Sequence, residues 1–234
     1  MIGLCIPAHN EEACIGGCLR SALRAARHPG LQGEPVEIVV VLDACTDRTE
    51  MRARRWPATT LRIASRNVGR ARAAGARHLL EAGARWLAFT DADTLVSASW
   101  LADQLSLGSE VVCGTVGVTG WRSHGIHALQ AREAFQAGYR DRDGHRHVHG
   151  ANLGLDARAY RRVGGFEALA CSEDQALVDR LESAGVSIAW TALPRVRTSA
   201  RPFSRISGGF ASALRQAWPK GGQAACPDVP LPPT

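Results

Sequence analysis

Short apolar runs and helical patterns alternate along the first half of the chain. Apolar runs of strand length lie at 2–6, 36–42 and 86–89, and the segment 59–64 is predicted as a strand between the last two of them. The second run is almost wholly apolar and β-branched, which is typical of a strand buried on both faces of a parallel sheet. Between the runs, apolar residues recur at helical spacing. Strands separated by helices in this order predict βαβ units, and therefore an α/β fold with a mainly parallel central sheet flanked by helices.

The helix boundaries follow from caps and breakers. Asn10 is predicted to cap a helix that begins at Glu11 and carries apolar residues on one face. A second helix is predicted over 47–56. The third, over 70–82, is expected to stop at Gly83, because glycine readily ends a helix.

The second half has a less regular pattern. Its predicted elements are a strand at 111–119, a helix at 124–138, an extended stretch at 148–155, a helix at 157–163, a helix from Ser172 to Gly185 and a strand at 187–190. The last 16 residues, 219–234, are rich in glycine and proline and are predicted to be disordered. The sequence thus predicts one domain over 1–218 followed by a short tail.

Composition favours a cytoplasmic protein. The 234 residues suffice for one well-buried domain, and 45% of them are apolar. No apolar run approaches the roughly 18–20 residues that span a bilayer, and the start resembles a strand more than a signal peptide. The seven cysteines are odd in number and form no Cys-x-x-Cys, so reduced buried thiols are expected.

The net charge of +6 comes almost entirely from arginine, since Lys220 is the one lysine. Arginine suits bidentate binding of phosphates and of anionic lipid headgroups, which leaves peripheral membrane contact open. No basic stripe is interleaved with aromatic residues, and only 6% of residues are aromatic. A nucleic-acid partner is therefore not expected.

Two carboxylates, Asp91 and Asp93, directly follow the fourth strand. At the carboxyl end of a strand, two such groups can hold a hard divalent cation and leave coordination positions for phosphate oxygens. Taken alone the pattern is weak, because most Asp-x-Asp sequences mark solvated turns.

The other strand ends also carry candidate ligand-binding groups. The turn from Pro7 to Glu12 follows the first strand, and Asp43 ends the second, where it can accept hydrogen bonds from a base or ribose. Asp47 and Thr49 look like cap and turn residues. After the third strand comes 67–72, with a capping Asn67, a Gly69 that permits close approach, and Arg72, which can meet a phosphate. A capped helix with a solvated arginine face explains this last segment equally well.

Taken together, these segments resemble the family 2 glycosyltransferases, inverting enzymes with the GT-A fold. In that family the strand ends typically read Pro-x-x-Asn-Glu, Asp-Asp-Gly-Ser-Thr-Asp-x-Thr, Asn-x-Gly with a following Arg, and Asp-x-Asp. All four occur here in this order, and the resemblance covers roughly residues 2–200. The second motif departs from the pattern, with Leu42, Ala44 and Cys45 in place of Asp, Gly and Ser. Asp43, the position used against the base, is kept.

Residues 149–154 and 164–166 resemble the stretch that precedes the catalytic carboxylate of the family. Ser172 and Gln175 form a capping-box pattern, which places Glu173 and Asp174 in the first turn of a helix. A helix with ordinary N-terminal acids is the alternative explanation. The resemblance implies that Asp174 is the general base and that Glu173 positions it.

The alternating His145, His147 and His149 suit either a loop at the rim of the site or a zinc site, and the loop is preferred. His149 is a candidate metal ligand. Arg195, Arg197 and Arg201 form a basic segment after the last predicted strand, which can close over a diphosphate or lie on a solvated surface.

The resemblance implies a non-processive, hexosyltransferase-like enzyme that moves one sugar from a nucleoside diphosphate-sugar, with a UDP-sugar favoured, to a hydroxyl acceptor. Processive members carry Gln-x-x-Arg-Trp, and Gln175 does not begin such a motif. Mn²⁺ or Mg²⁺ is the implied cofactor, held by Asp91, Asp93 and His149. The implied substrate-binding residues are Pro7, Ala8, Asn10, Glu11, Asp43, Asn67, Gly69, Arg72, Asp91, Ala92, Asn152 and Arg201. Two alternatives stay open: a nucleotidyltransferase on a related sheet and a non-catalytic nucleotide-binding module.

Overall fold

A seven-stranded sheet forms the centre of the computed structural model, which describes residues 1–169, 171–202 and 214. The strands are β1 (Ile2–Ala8), β2 (Val36–Asp43), β3 (Thr59–Ile63), β4 (Trp86–Phe89), β5 (Leu95–Val96), β6 (Val111–Gly114), β7 (Gly117–Thr119), β8 (Leu153–Asp156), β9 (Ile188–Thr191) and β10 (Val196–Ser199). The helices are α1 (Ile15–Ala26), α2 (Thr49–Ala53), α3 (Val68–Glu81), α4 (Trp100–Ser106), α5 (Ala128–Gly138), α6 (Ala157–Arg162) and α7 (Glu173–Ser183). Short 3₁₀ helices span Pro29–Leu31 and Trp121–His127.

The strand order of the main sheet is β3-β2-β1-β4-β8-β6-β9. All its neighbouring pairs are parallel except the two that involve β8, which is antiparallel to both β4 and β6. The prediction of a mainly parallel sheet is therefore confirmed. Because β8 is reversed, its amino end meets the carboxyl ends of the parallel strands at one edge of the sheet.

Two apolar layers cover the faces of the sheet, as expected for strands buried on both sides. Alternate residues of β1 point to opposite layers: Ile2, Leu4 and Ile6 belong to one, and Cys5 belongs to the other. Helices α1 and α4 cover the first face, and α3 and α7 cover the second. Helix α3 lies close to the sheet, since a Cβ at Gly75 would lie 2.3 Å from Cys5 Sγ.

A second, three-stranded sheet has the order β5-β10-β7 and was not predicted. Strand β10 runs antiparallel to β5 and parallel to β7. The basic segment that contains Arg195, Arg197 and Arg201 was expected to follow the last strand, but 196–199 is itself a strand. The sheet brings this late part of the chain beside the segment that follows Asp93.

Several predicted boundaries are wrong. Helix α1 begins at Ile15 rather than Glu11, because Asn10 has a left-handed φ of 54° and accepts hydrogen bonds from another loop. The capping box at Ser172 is not formed. The Ser172 side chain makes no cap hydrogen bond, and the side-chain amide of Gln175 donates to Asp179 instead. The helix predicted at 47–56 is shorter, and the strand predicted at 111–119 divides into β6 and β7. The helix predicted at 124–138 is split between a 3₁₀ helix and α5. Of the extended stretch predicted at 148–155, only the part within β8 (Leu153–Asp156) is paired.

The predicted tail, 219–234, and the end of the predicted domain at 218 lie outside the described residues. Within the described part of the chain, no helix has both the length and the apolar character needed to cross a membrane.

Candidate active site

A cavity of about 660 Å³ opens at the edge of the sheet where the carboxyl ends of the parallel strands meet. Strand β1 is flanked by β2 on one side and β4 on the other, so the strand order reverses there. In open α/β sheets, such a reversal leaves a crevice in which ligands bind. The volume is in the range of small-molecule sites.

Most of the residues that the sequence singled out line this cavity. They are Pro7, Ala8, Asn10, Glu11, Asp43, Asn67, Arg72, Asp91, Ala92, Asp93, His149, Glu173, Asp174 and Arg201. They come from all parts of the described chain, so the fold gathers them at one place. Gly69 and Asn152 do not belong to the lining.

Asp43 is buried, and its carboxylate holds the loop that follows β3. Oδ1 accepts hydrogen bonds from the backbone N–H groups of Ser65 and Arg66 at 2.7 and 2.8 Å, and Oδ2 accepts one from Asn67 at 2.7 Å. A carboxylate has about four acceptor positions, so one remains for another donor. The prediction that Asp43 meets the nucleoside stays a prediction, but its role in the loop is evident.

The loops that follow β1 and β2 are hydrogen-bonded to each other. Asn10 Oδ1 accepts from the N–H of Thr46 at 2.7 Å, and Thr49 Oγ1 accepts from the N–H of Glu11 at 2.7 Å. Asp47 accepts from the N–H groups of Glu12 and Thr49 at 3.0 and 2.9 Å. The structural roles predicted for Asp47 and Thr49 are therefore confirmed. These bonds fix the backbone of 8–11 at the cavity.

Asp91 and Asp93 differ in exposure and in partners. The Asp91 side chain is 37% exposed, and its Oδ1 accepts from Arg72 at 2.6 Å. The Asp93 side chain is 8% exposed, with Oδ2 at 3.2 Å from Arg201. Burial raises the pKa of Asp93 to about 6, although Arg201 lowers it in part. Thr198, on β10, also contacts Asp93 at 3.4 Å.

Arg72 is a buried residue of the cavity lining and lies between two carboxylates. It is 4% exposed and forms ion pairs with Asp91 and with Glu173, which is itself buried. Burial raises the pKa of Glu173, and the charge of Arg72 opposes this. The guanidinium thus links the turn after β4 to the start of α7.

Asp174 lies at the first turn of α7, and its carboxylate is oriented by backbone groups. Oδ2 accepts from the N–H of Gly150 at 2.7 Å, and Oδ1 accepts from the N–H of Gln175 at 2.9 Å. Gly150 was not predicted as a site residue, although it lies in the stretch that carried the resemblance.

The three histidines form a stack rather than a metal site. The ring of His147 lies between His145 and Tyr139, at centroid distances of 5.6 and 4.3 Å. His149 Nε2 lies 2.9 Å from the hydroxyl of Tyr139, and burial lowers the pKa of His149 to about 4. The preferred expectation of a loop at the rim of the site agrees with this arrangement, since His149 lines the cavity.

Asn152 and Gly69 have packing roles in the structure. Asn152 is fully buried; it accepts from Trp100 Nε1 at 2.8 Å and donates to the carbonyls of Thr115 and Pro194 at 2.7 and 3.0 Å. A Cβ at Gly69 would lie 2.2 Å from the Glu167 carbonyl oxygen. Direct substrate contact, as implied by the resemblance, is at odds with these positions, because neither residue reaches the cavity.

Left-handed backbone is concentrated at the cavity. Among the described residues, non-glycine residues with positive φ are Asn10, Gln32, Ala44, Arg66 and Ser172, and all but Gln32 line the cavity. Such conformations cost energy and tend to persist at functional sites, where the surroundings hold them.

The donor set suits a hard divalent cation. Asp91 and Asp93 offer carboxylate oxygens, and Asp91 keeps Oδ2 outside its bond to Arg72. Within residues 1–169, 171–202 and 214, no group of three or more His, Cys, Asp or Glu side chains is arranged to hold an ion. A cation bound by the two aspartates would therefore leave coordination positions for phosphate oxygens, as the sequence pattern predicted, but His149, the third implied ligand, does not form a group with them.

Comparison with known proteins agrees with this geometry. A model of the family described as glycosyl transferase family 2 matches residues 4–164. No curated protein matches the sequence. Among solved structures, Staphylococcus aureus TarS 1–349 in complex with UDP-GlcNAc superposes with a TM-score of 0.64 at 16% identity, over 89% of this chain and 61% of that one.

The mannosyltransferase PcManGT from Pyrobaculum calidifontis, solved with GDP-Man and Mn²⁺, has a TM-score of 0.62 at 20% identity, over 92% of this chain and 60% of that one. At these identities the likeness concerns the fold. The chain spans about three fifths of the length of both of these solved chains.

Proposed function

Because the chain belongs to glycosyl transferase family 2 and is a glycosyltransferase with the GT-A fold, we propose that it transfers one sugar, with inversion, from a nucleoside diphosphate-sugar to a hydroxyl acceptor. The observation that carries this proposal is that one cavity is lined both by the Asp91–Asp93 pair and by the oriented carboxylate of Asp174.

The nucleotide would bind in the crevice beside β1, where the strand order of the sheet reverses. The backbone of 7–11 and Asp43 would hold the nucleoside, and the spare acceptor position of Asp43 suits an N–H of a base. The complexes of TarS with UDP-GlcNAc and of PcManGT with GDP-Man support a nucleotide-sugar donor. We favour a UDP-sugar.

Asp91 and Asp93 would hold Mn²⁺ or Mg²⁺, which would offset the charge that develops on the leaving diphosphate. The Mn²⁺ in the PcManGT complex supports this part of the proposal. Arg201 pairs with Asp93 and Glu11, but it is 33% exposed at the cavity, so the open part of its guanidinium can pair with phosphate oxygens.

Asp174 would take the proton of the acceptor hydroxyl as that oxygen attacks the anomeric carbon. Its two backbone hydrogen bonds orient the carboxylate, and each oxygen keeps acceptor capacity for a hydroxyl. Attack from the side opposite the diphosphate gives inversion. The absence of a Gln-x-x-Arg-Trp motif supports a single transfer.

The test is release of nucleoside diphosphate from a panel of UDP- and GDP-sugars, with Mn²⁺ and with a chelator. Turnover that requires the cation, and an inverted anomer detected by NMR in the first product, are expected. Retention of configuration, or equal turnover in chelator, contradicts the corresponding part of the proposal. Binding of donors without any hydrolysis or transfer favours the non-catalytic module, and transfer of a nucleotidyl group favours the nucleotidyltransferase.

A further inference from the structure

Arg72 is placed differently from an arginine that binds phosphate. Its side chain is 4% exposed, and its two terminal nitrogens are engaged by Asp91, at 2.6 Å, and by Glu173. The sequence suggested that Arg72 meets a phosphate. Two carboxylates already compensate the single charge of this buried guanidinium, so its attraction for a further anion is weak.

The guanidinium also lies against the turn that orients Asp174. A Cβ at Gly150 would be 2.3 Å from Arg72 Cζ, so only glycine permits this approach. The N–H of the same Gly150 donates to Asp174 Oδ2 at 2.7 Å. The backbone turn at Gly150, called the Gly150 turn below, therefore affects both the position of the Arg72 guanidinium and the orientation of the Asp174 carboxylate.

The charges around Arg72 are mutually dependent. Arg72 is buried, and the carboxylates of Asp91 and Glu173 that pair with it compensate its charge. Glu173 is buried as well, and Arg72 favours its ionised form. Removing one partner of a buried ion pair leaves an uncompensated charge, so Arg72 and the two carboxylates that pair with it depend on one another, although the carboxylates repel each other.

We propose that Arg72 is a positioning residue that holds Asp91 on the donor side, and Glu173 and the Gly150 turn on the acceptor side, in one fixed arrangement. This inference rests on the proposed function, since it concerns the same reaction. Arg72 acts through these neighbours, and the diphosphate does not depend on its charge for binding.

The variants Arg72→Gln and Arg72→Lys test the assignment, with Arg70→Gln as the matched control. Arg70 lies on the same helix but is exposed and does not line the cavity. Isothermal titration in a chelator gives the affinity for UDP without the contribution of Asp91 to metal binding, and donor hydrolysis in Mn²⁺ gives kcat and KM. We expect Arg72→Gln to lower kcat by about 100-fold, since small misplacements of reacting groups cost about that much.

The affinity of Arg72→Gln for UDP should stay within about threefold of wild type. In free energy, a threefold change is less than half of the 1.4 kcal/mol that a tenfold change represents. Arg72→Lys keeps the charge but not the forked geometry, so its kcat should lie between those of wild type and Arg72→Gln. A tenfold loss of UDP affinity at unchanged kcat in Arg72→Gln would overturn the proposal, because it would mean that Arg72 binds the diphosphate.

If Arg72→Gln does not fold, the double variant Arg72→Gln/Glu173→Gln replaces the buried pair by neutral groups and removes the uncompensated charge. UDP binding by the folded double variant within threefold of wild type supports the proposal, and a tenfold loss overturns it. The outcomes are separate from those for the function itself: a wild-type protein that binds no nucleoside diphosphate contradicts the proposed function, whereas normal wild-type binding that is lost with Arg72 contradicts only the positioning role.

Discussion

Asp93 Oδ2 lies 3.2 Å from a guanidinium nitrogen of Arg201, and the same guanidinium pairs with Glu11 at 2.6 Å. Arg201 therefore joins the turn after β1 to the turn after β4. Asp93 is 8% exposed, so its charge would be costly without a cation nearby. A divalent ion that binds Asp93 takes over part of this neutralising role.

We expect Asp93→Ala to abolish the gain in UDP affinity that Mn²⁺ provides, because the variant lacks a carboxylate ligand for the ion. Calorimetric titration of UDP with Mn²⁺ and with a chelator measures this gain. Glu133→Gln, which removes an exposed carboxylate of α5, is the control and should behave like wild type. An equal metal-dependent gain in Asp93→Ala would show that Asp93 is not a ligand.

Asp43→Ala should weaken UDP binding with or without metal and should also destabilise the protein. The carboxylate accepts three backbone hydrogen bonds, and hydrogen bonds to a charged group contribute about 1.5–3 kcal/mol each. Asp43→Asn keeps the shape but directs an N–H₂ toward at least one of these donors, so it should be destabilised too. Urea denaturation and UDP titration are the measurements. Unchanged stability and affinity in both variants would remove Asp43 from the site and from the loop.

Asp174→Asn should reduce turnover by about 10²–10⁴-fold, which is the usual contribution of a general base. An amide cannot accept a proton near neutral pH, yet its carbonyl oxygen can still accept from the N–H of Gly150. Donor binding should stay close to wild type, since Asp174 is assigned to the acceptor. Steady-state hydrolysis or transfer gives the rate, and calorimetry gives the affinity. Full turnover by Asp174→Asn would exclude it as the base, and Glu173 would be tested next.

Asn152→Ala separates a packing role from substrate contact. The substitution leaves Trp100 Nε1 and two carbonyls without their partner in the interior, and an unsatisfied buried group costs about 1–3 kcal/mol. We therefore expect a lower free energy of unfolding by a few such increments and an unchanged KM for the donor. A wild-type melting temperature combined with a raised KM would restore the substrate role implied by the family resemblance.

Asp143 makes stability depend on pH in a defined direction. The N–H of Ala192 and the hydroxyl of Thr191 donate to it, and they lower its pKa below the ordinary 3.8. A lowered folded pKa contributes stability above the unfolded value, and this contribution is lost as the pH falls through the folded pKa. Asp143→Asn should thus melt below wild type near neutral pH, and the difference should vanish in acid. A difference in melting temperature that is independent of pH would contradict this assignment.

The first part of the fold, from β1 to β4, follows closely from the sequence. Apolar runs identify β1, β2 and β4, and β3 (Thr59–Ile63) is a short segment of mostly β-branched residues. The cap at Asn67, where Oδ1 accepts from the N–H of Arg70, sets the start of α3. In parallel βαβ units the strand ends fall at one edge by topology alone. The positions of Asp43 and Asp91 at the cavity could therefore be predicted without knowledge of any side-chain contact.

The second part of the fold, from β5 to β10, could be predicted less well, because its elements depend on partners that are distant along the chain. Strand β5 has two residues, and its pairing with β10 leaves no local periodicity to detect. The role of Arg72 was hidden for a related reason: helical spacing places it on α3, but its partner Glu173 lies 101 positions away along the chain. The orientation of β8 likewise depends on β4 and β6 rather than on its own sequence.

The reversed direction of β8 has a consequence for how this scaffold can be altered. Its four residues are paired on both sides, to β4 and β6, so its register is fixed independently of the loop that enters it. Residues added or removed between Tyr139 and Val148 would move the entry to the cavity-lining Val148 and His149 without shifting any strand end that carries Asp43 or Asp91. If the proposed function holds, loop grafting there is expected to change acceptor preference and to leave nucleotide binding intact.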